Sequence, residues 1–231
     1  MNIHSSDALI LRTYRYGEAD RIVVFLTIDH GKKRGVAKNA TNSRRRFGGA
    51  LEPLTRGRVH YVEREGRDLV RLDRIEPKRS PMQSDVTPAD AASEAGVSDP
   101  ASVLAHASYF AELLDEWSPD NAANERLFRL GAGVGDALGR GGSTEALARY
   151  FEFWLLRVEG VYPAIEALEL SPEAQAFLTL ARRVTPRQVT KHPVSRRALR
   201  ELERVHQRMI TMHLEKELKS ARIVRELRTE L

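Results

Sequence analysis

Residues 7–76 hold five short runs rich in β-branched residues, leucine and aromatics, and no strong helical period lies between them. The runs are 7–16, 20–28, 32–39, 55–63 and 67–75. Gly17-Glu18-Ala19 separates the first two, Asp29-His30-Gly31 the second and third, and Arg64-Glu65-Gly66 the last two. Glycine tolerates the positive φ of tight turns and aspartate favours their first position, so these breaks predict hairpins. Parallel strands joined through a helix need a crossover of about a dozen residues or more, which argues against a doubly wound sheet. Five strands in so short a stretch also leave unpaired edges, and closing the sheet into a Greek-key barrel removes them. The expected first domain, residues 1–80, is a five-stranded barrel of the OB-fold type.

The texture changes after Pro77-Lys78-Arg79-Ser80-Pro81. Residues 81–100 are small and polar, with Pro88 and Pro100, and read as a linker. From Ala101 a helical period takes over. Leu104, Ala107, Ala111, Leu114 and Trp117 share a face, and Ser118-Pro119-Asp120 ends that segment. Further helices are expected at 124–138, 144–158 and 172–184. The third of the four helices is the most apolar, through Leu147, Phe151, Trp154, Leu155 and Val158. Residues 195–228 form a long charged segment with Leu199, Leu202, Val205, Met209, Met212 and Leu218 as its apolar stripe, and a break is expected near Lys216. The two methionines read as core filler. The fold class is α+β: the barrel, then an all-α domain over 101–231.

Charge is informative once it is divided. Residues 1–80 carry 18 Lys and Arg against 10 Asp and Glu, net +8; residues 81–180 carry 5 against 16, net −11; residues 181–231 carry 14 against 6, net +8. Clustered cations point to a polyanion such as nucleic acid, whose phosphates supply most non-specific affinity. The competing reading is that the acidic middle neutralises the two ends within the fold.

Little in the chain points to catalysis. Cysteine is absent, which excludes disulfides, thiolate zinc sites, iron–sulfur clusters and cysteine nucleophiles. Gly131-Ala132-Gly133-Val134-Gly135-Asp136 lacks the third glycine of a dinucleotide fingerprint and reads as close helix packing. Gly139-Arg140-Gly141-Gly142-Ser143-Thr144 lacks the lysine of a phosphate loop, and Ser143 or Thr144 should cap the next helix. His206 and His213 are seven residues apart, about 10 Å along a helix, too far to hold one metal, so both are expected at the surface or its boundary. No catalytic residue, metal or cofactor is expected. No apolar run approaches the roughly 20 residues of a membrane helix, and residues 1–7 do not start a secretory signal, so a cytoplasmic location is expected.

The positive signal is Lys32-Lys33-Arg34-Gly35-Val36-Ala37-Lys38 followed by Ser43-Arg44-Arg45-Arg46-Phe47-Gly48-Gly49. Lysine and arginine suit phosphates through charge-assisted hydrogen bonds. Strand alternation sets Arg56, Arg58 and His60 on one face, opposite Val59 and Tyr61, which should enter the barrel. The expected nucleic-acid-contacting residues are therefore Lys32, Lys33, Arg34, Lys38, Arg44, Arg45, Arg46, Arg56 and Arg58. Phe47 is expected either to stack on a base or to pack the basic loop onto the barrel.

At these residues the chain resembles the RecO family of bacterial recombination mediators. The resemblance rests on Ala8-Leu9-Ile10-Leu11-Arg12, Tyr16-Gly17-Glu18-Ala19-Asp20, His30-Gly31-Lys32, Gly35-Val36-Ala37-Lys38 and Arg46-Phe47-Gly48-Gly49-Ala50-Leu51-Glu52-Pro53. In the helical half it rests on residues 150–156 and on Gly160-Val161-Tyr162-Pro163. It implies an OB-fold followed by a helical domain. It also implies binding of single- and double-stranded DNA, strand annealing, and recombinase loading onto strands coated by single-strand-binding protein, in partnership with RecR in the nucleoid. The acidic tail of single-strand-binding protein should dock on the helical domain, where Arg196, Arg197, Arg200 and Arg204 supply cations. Many relatives carry a four-cysteine zinc module after the segment matching Tyr162-Pro163; here residues 164–174 have no cysteine, and helix packing must hold the region. A structured-RNA-binding module and a metal-dependent nuclease are the other classes left open, the first through the same barrel and charge, the second through a carboxylate site that nothing in the sequence selects.

Overall fold

The computed structural model describes residues 2–83, 99–216 and 218–229. Most of the expected linker lies outside them. Strands β1 (Asn2–Tyr16), β2 (Asp20–Thr27), β3 (Gly31–Ala37), β4 (Arg56–Glu63) and β5 (Val70–Arg79) close into a barrel of order β1-β2-β3-β5-β4. β3 and β5 pair in parallel, and the other neighbours are antiparallel. This is an OB-like barrel. β1 starts earlier than its composition suggests because it serves two partners, with residues 8–16 on β2 and residues 2–9 on β4. β5 begins later than expected and runs on to Arg79, where its last residues pair with the start of β4 across a register shift.

The barrel interior is filled by Ala8, Ile10, Val23, Phe25, Val59, Tyr61, Val70, Leu72 and Ile75, with Phe47 and Ala50 from the β3–β4 connection packed among them. That connection contains the single-turn helix α1 (Arg44–Phe47). The apolar residues of the opposite parity, Leu9, Val24 and Leu26, join a second core shared with the helices. Both faces of this part of the sheet are therefore buried, which explains its near-continuous apolar sequence.

The helical half comprises α2 (Pro100–Trp117), α3 (Glu125–Leu138), α4 (Thr144–Val158), a 3-10 turn (Ile165–Ala167), α5 (Pro172–Ala181), α6 (Pro186–Val189), α7 (Arg196–Leu214) and α8 (Lys219–Thr229). Side-chain caps fix the starts: Asp99, Asn124, Ser143, Ser171 and Ser195 each accept a backbone N–H from the first turn of the following helix. α7 stops at Leu214 where Glu215 turns left-handed, so the long charged segment breaks where expected. Residues 164–174 are held without thiolates. Ile165 and Leu170 enter the core, and Ser171 gives Glu201 two hydrogen bonds, at 2.8 Å from its backbone and 2.5 Å from its hydroxyl.

Some expected faces shift. Leu104 is exposed, because α2 is enclosed along a band wider than one stripe that includes Val103, His106, Phe110 and Leu113. Met212 is also exposed, while Met209 packs against the core; the buried line of α7 runs Leu199, Leu202, His206, Ile210. His206 is thus interior and not at the surface. Its ring lies 3.0 Å from the fully buried Glu152, which also receives hydrogen bonds from Tyr109 and Arg149, both at 2.7 Å. The Tyr162 hydroxyl meets the other ring nitrogen at 3.0 Å.

The seam between barrel and helices is tight and charged. A side chain at Gly131 would come within 2.6 Å of Leu114 and 2.8 Å of Leu9, so this glycine has a packing reason. Gly31 has φ +68°, and a Cβ there would collide with the Ala122 carbonyl. Lys32 exchanges backbone hydrogen bonds with the loop after α2, accepting from Asn121 at 3.0 Å and donating to Pro119 at 3.4 Å. Its ammonium reaches the Asp115 backbone carbonyl at 2.5 Å and carboxylate at 3.4 Å. Arg12 meets the same Asp115 at 3.2 Å, and Asp136 of α3 bridges Arg56 and Arg79, each at 3.3 Å. Lys32 and Asp115 are both buried, and removing one member of such a pair costs about 3–5 kcal/mol; Arg12, Arg56 and Asp136 are more exposed and their pairs contribute less.

The buried network predicts acid sensitivity. Burial disfavours charge on His206 and outweighs the pull of Glu152, so the imidazole titrates below its ordinary value near 6.5. Burial would raise the Glu152 carboxyl, but Arg149, His206 and Tyr109 outweigh it, so the carboxyl stays below its ordinary range. Neutral His206 then donates from Nδ1 to Glu152 and accepts from Tyr162 at Nε2. With both values depressed, the unfolded chain binds more protons, and stability present above about pH 6.5 is lost as pH falls below it. Melting temperature should therefore drop between pH 7 and 5. His206→Gln, which can still donate to Glu152 but does not titrate, should flatten that drop; an equal pH slope in the variant contradicts the assignment.

Candidate nucleic-acid interface

The strand registers arrange the outer face of β1, β2 and β3 in rows. Leu9, Leu26 and Lys32 form the row against the helical domain, Arg12, Val24 and Arg34 the next, and Tyr14, Ile22 and Val36 a third that continues to Arg71 on β5. The first row is covered. The second meets the carboxylates of α2. The third is open to solvent at Tyr14, 44 % exposed, and Tyr16, 48 % exposed, lies beyond it opposite Asp20. A cleft of about 700 Å³ lined by Tyr16, Lys38, Arg64, Arg67 and Arg71 meets a second of about 460 Å³ lined by Arg12, Tyr14, Ile22 and Arg34. Leu69, in the β4–β5 hairpin, lines both, so the two clefts adjoin along the face as a groove with Leu69 between its halves.

The groove combines what a single strand requires. Tyr14 and Tyr16 stand about 6.8 Å apart along β1, which suits bases pulled apart and not stacked at about 3.4 Å as in a duplex. Arg12 donates to the Tyr14 hydroxyl at 3.0 Å, so α2 fixes this ring through Asp115 and Arg12. Burial would lower the Arg12 guanidinium, but Tyr14, Asp115 and Glu112 outweigh it and keep it charged. At the far end Arg46 donates to the Lys38 backbone carbonyl at 2.8 Å, which ties α1 to the groove. Among the described residues no carboxylate forms an ion pair with Lys38, Arg44, Arg45, Arg64 or Arg67, so a surplus of positive charge gathers there.

The sequence-predicted residues divide. Lys38, Arg44 and Arg45 are exposed at this end. Arg46 is half-buried, bonded to Ser43 and Lys38 and set over the Phe47 ring at 5.1 Å. Phe47 itself is 2 % exposed and packs inside the barrel, which removes it as a base platform. Lys32 and Lys33 are each 7 % exposed and are likewise corrected. Lys32 serves the seam, and Lys33 points into the barrel, where its bond to Glu63 at 3.0 Å holds that carboxyl below its usual range. Arg34 lies 3.8 Å from Asp120. Arg56 and Arg58 face outward as expected but meet Asp136 at 3.3 Å and Asp7 at 3.7 Å, on a β4–β5 face whose charges are largely matched.

Sequence reasoning missed Tyr14, Tyr16, Arg64, Arg67 and Arg71. The tyrosines counted only as strand formers, although their alternation just before Gly17 sets both on one face at a hairpin end. Arg64 and Arg67 flank Gly66 in the hairpin that folds over the groove.

On the helical half, Arg196 and Arg200 line a cleft of about 210 Å³ with Ala105, Ala148, Leu199 and Val224. Arg197 and Arg204 do not line it. They flank Glu201, whose carboxyl the Ser171 hydroxyl and then these arginines hold low. Among the described residues no three His, Cys, Asp or Glu converge as metal ligands, and no helix is long and apolar enough to cross a membrane.

Comparison with known proteins follows the same division. Residues 1–81 match the family model "Recombination protein O N terminal" and residues 101–167 match "Recombination protein O C terminal". The chain is similar to proteins named DNA repair protein RecO, at 41 % identity over 161 residues in Koribacter versatilis and 37 % over 161 residues in Geobacter sulfurreducens. Each of these matches covers 70 % of this chain and 60 % of the relative's length. A match to the protein of that name from Anaeromyxobacter sp. is 37 % identical and covers 69 % of this chain and 58 % of that relative. The matched stretch thus spans less than two thirds of these relatives.

The groove predicts separable contributions. Each phosphate neutralised on a single strand contributes about −0.7 to the slope of log K against log salt. Changing Arg44 and Arg45 together to Ala should shallow the slope by roughly 1.4. Tyr14→Ala or Tyr16→Ala should leave the slope unchanged but weaken binding by about 1–3 kcal/mol for each stacked base. Fluorescence titrations across salt concentrations measure both, and an unchanged slope in a folded arginine variant contradicts the placement.

Proposed function

This chain belongs to the RecO family of DNA repair proteins, and on that premise we propose that it works as a recombination mediator, by binding and not by catalysis. The barrel groove takes single-stranded DNA by its backbone, and the helical domain takes a protein partner. The observation that carries this reading is the open row Tyr14–Ile22–Val36–Arg71 beside Lys38, Arg44, Arg45, Arg64 and Arg67, which form no ion pair among the described residues. Aromatic faces and phosphate-seeking cations in one groove serve a strand of any sequence. Double-stranded DNA has no bases free to stack and would be held by the arginine turn alone.

Annealing follows from the same chemistry. Cations that hold one backbone lower the repulsion met by a second, and a strand held without base-edge readout keeps its pairing edges free. The cleft with Arg196 and Arg200 supports docking of the acidic tail of single-strand-binding protein, since it sets cations beside Leu199 and Val224. In this reading the chain, working with RecR in the cytoplasm on nucleoid DNA, helps recombinase onto coated strands.

Annealing of complementary strands, bare or coated with single-strand-binding protein, tests the proposal. Wild-type protein should accelerate both reactions. Tyr14→Ala/Tyr16→Ala should slow both, whereas Arg196→Glu/Arg200→Glu should slow only the coated one. Loss of neither in folded variants contradicts the reading.

A further inference from the structure

The groove is asymmetric in charge along its length. At the α1 end Lys38, Arg64, Arg67 and Arg71 outnumber Asp20 and Asp68 along the cleft, but at the α2 end the cations are matched. Asp120 lies 3.8 Å from Arg34 and 3.4 Å from the buried Lys32 ammonium, and Glu116 sits 3.7 Å from Arg12 and 2.6 Å from Lys216. Asp115 and Glu116 line the same cleft as Tyr14 and Arg34. A phosphate brought to Arg34 would lie near these carboxylates, within the roughly 8 Å over which charges interact at physiological salt. We infer that Glu116 and Asp120 form an acidic wall that ends the strand's footprint at the Tyr14 row and turns the strand off the barrel there. The wall sets how many nucleotides the barrel holds, and Arg34 carries no phosphate while it stands.

This inference rests on the proposed DNA groove, and its test separates the two. Oligonucleotides of increasing length are titrated over a range of salt against four full-length proteins: wild type, Glu116→Gln/Asp120→Asn, Arg34→Gln, and all three changes combined. These side chains are partly or largely exposed, and melting curves confirm folding. The Glu116→Gln/Asp120→Asn variant should bind with a salt slope steeper by roughly 0.7–1.4, as Arg34 and Lys216 are released to phosphates. Its affinity should keep rising to a longer oligonucleotide than wild type needs. Arg34→Gln alone should leave the slope as it is, and added to the acidic changes it should remove most of the gain. An unchanged slope and length in the neutralised variant overturns the wall. So does a loss of about 0.7 in Arg34→Gln alone, which decides the matter even if the acidic double variant fails to fold. If the groove itself is misplaced, the Arg44/Arg45 variant binds as wild type; if only the wall is, that variant still loses its share.

Discussion

Asp115 is the residue on which the arrangement of the two halves turns. One carboxylate near the end of α2 serves Arg12 at 3.2 Å and the buried Lys32 ammonium at 3.4 Å. An ammonium taken out of water without a partner costs several kcal/mol, so Lys32 can be buried only where α2 and the loop after it bring Asp115 and Asp120, each 3.4 Å from it. The loop after α2 then pairs along the start of β3, and Gly31 must lack a side chain to let it in. Through Arg12 the same carboxylate reaches Tyr14. Packing of the domains and orientation of a groove aromatic are thus one event.

The basic–acidic–basic sequence resolves differently in different places. Acidic residues of α2 and α3 neutralise Arg12, Lys32, Arg56 and Arg79 at the seam. At the other end of the same barrel, Lys38, Arg44, Arg45, Arg64 and Arg67 stay unmatched among the described residues. Counting charges by segment could not separate these populations, because the division is made by contacts between residues 57 to 103 positions apart.

The barrel was legible because hairpin glycines and alternating apolar residues are local signals, and the same holds for α4, whose ends fall at 144 and 158 as its period implies. Gly131 could be read as a packing glycine from its helical setting, though not that Leu9 is what it meets. The site was only half legible. Lys32 and Arg34 are neighbours of the same type two positions apart on one strand face, yet one is buried and one exposed, and only the position of α2 decides which. Phe47 next to three arginines looks like a base platform until the closed barrel takes it into its core. His206 sat four residues from both Leu202 and Ile210, a spacing that marks the buried line of α7, but polarity hid it.

The most direct measurement is hydrogen exchange over the whole chain with and without a saturating single-stranded oligonucleotide. Binding in the groove predicts slowed exchange in residues 14–22, 36–47 and 64–71, with the outer face of β4 and the residues around Asp7 and Lys78 unchanged. Protection centred on the β4–β5 face or on α7, with residues 14–22 unaffected, would contradict it.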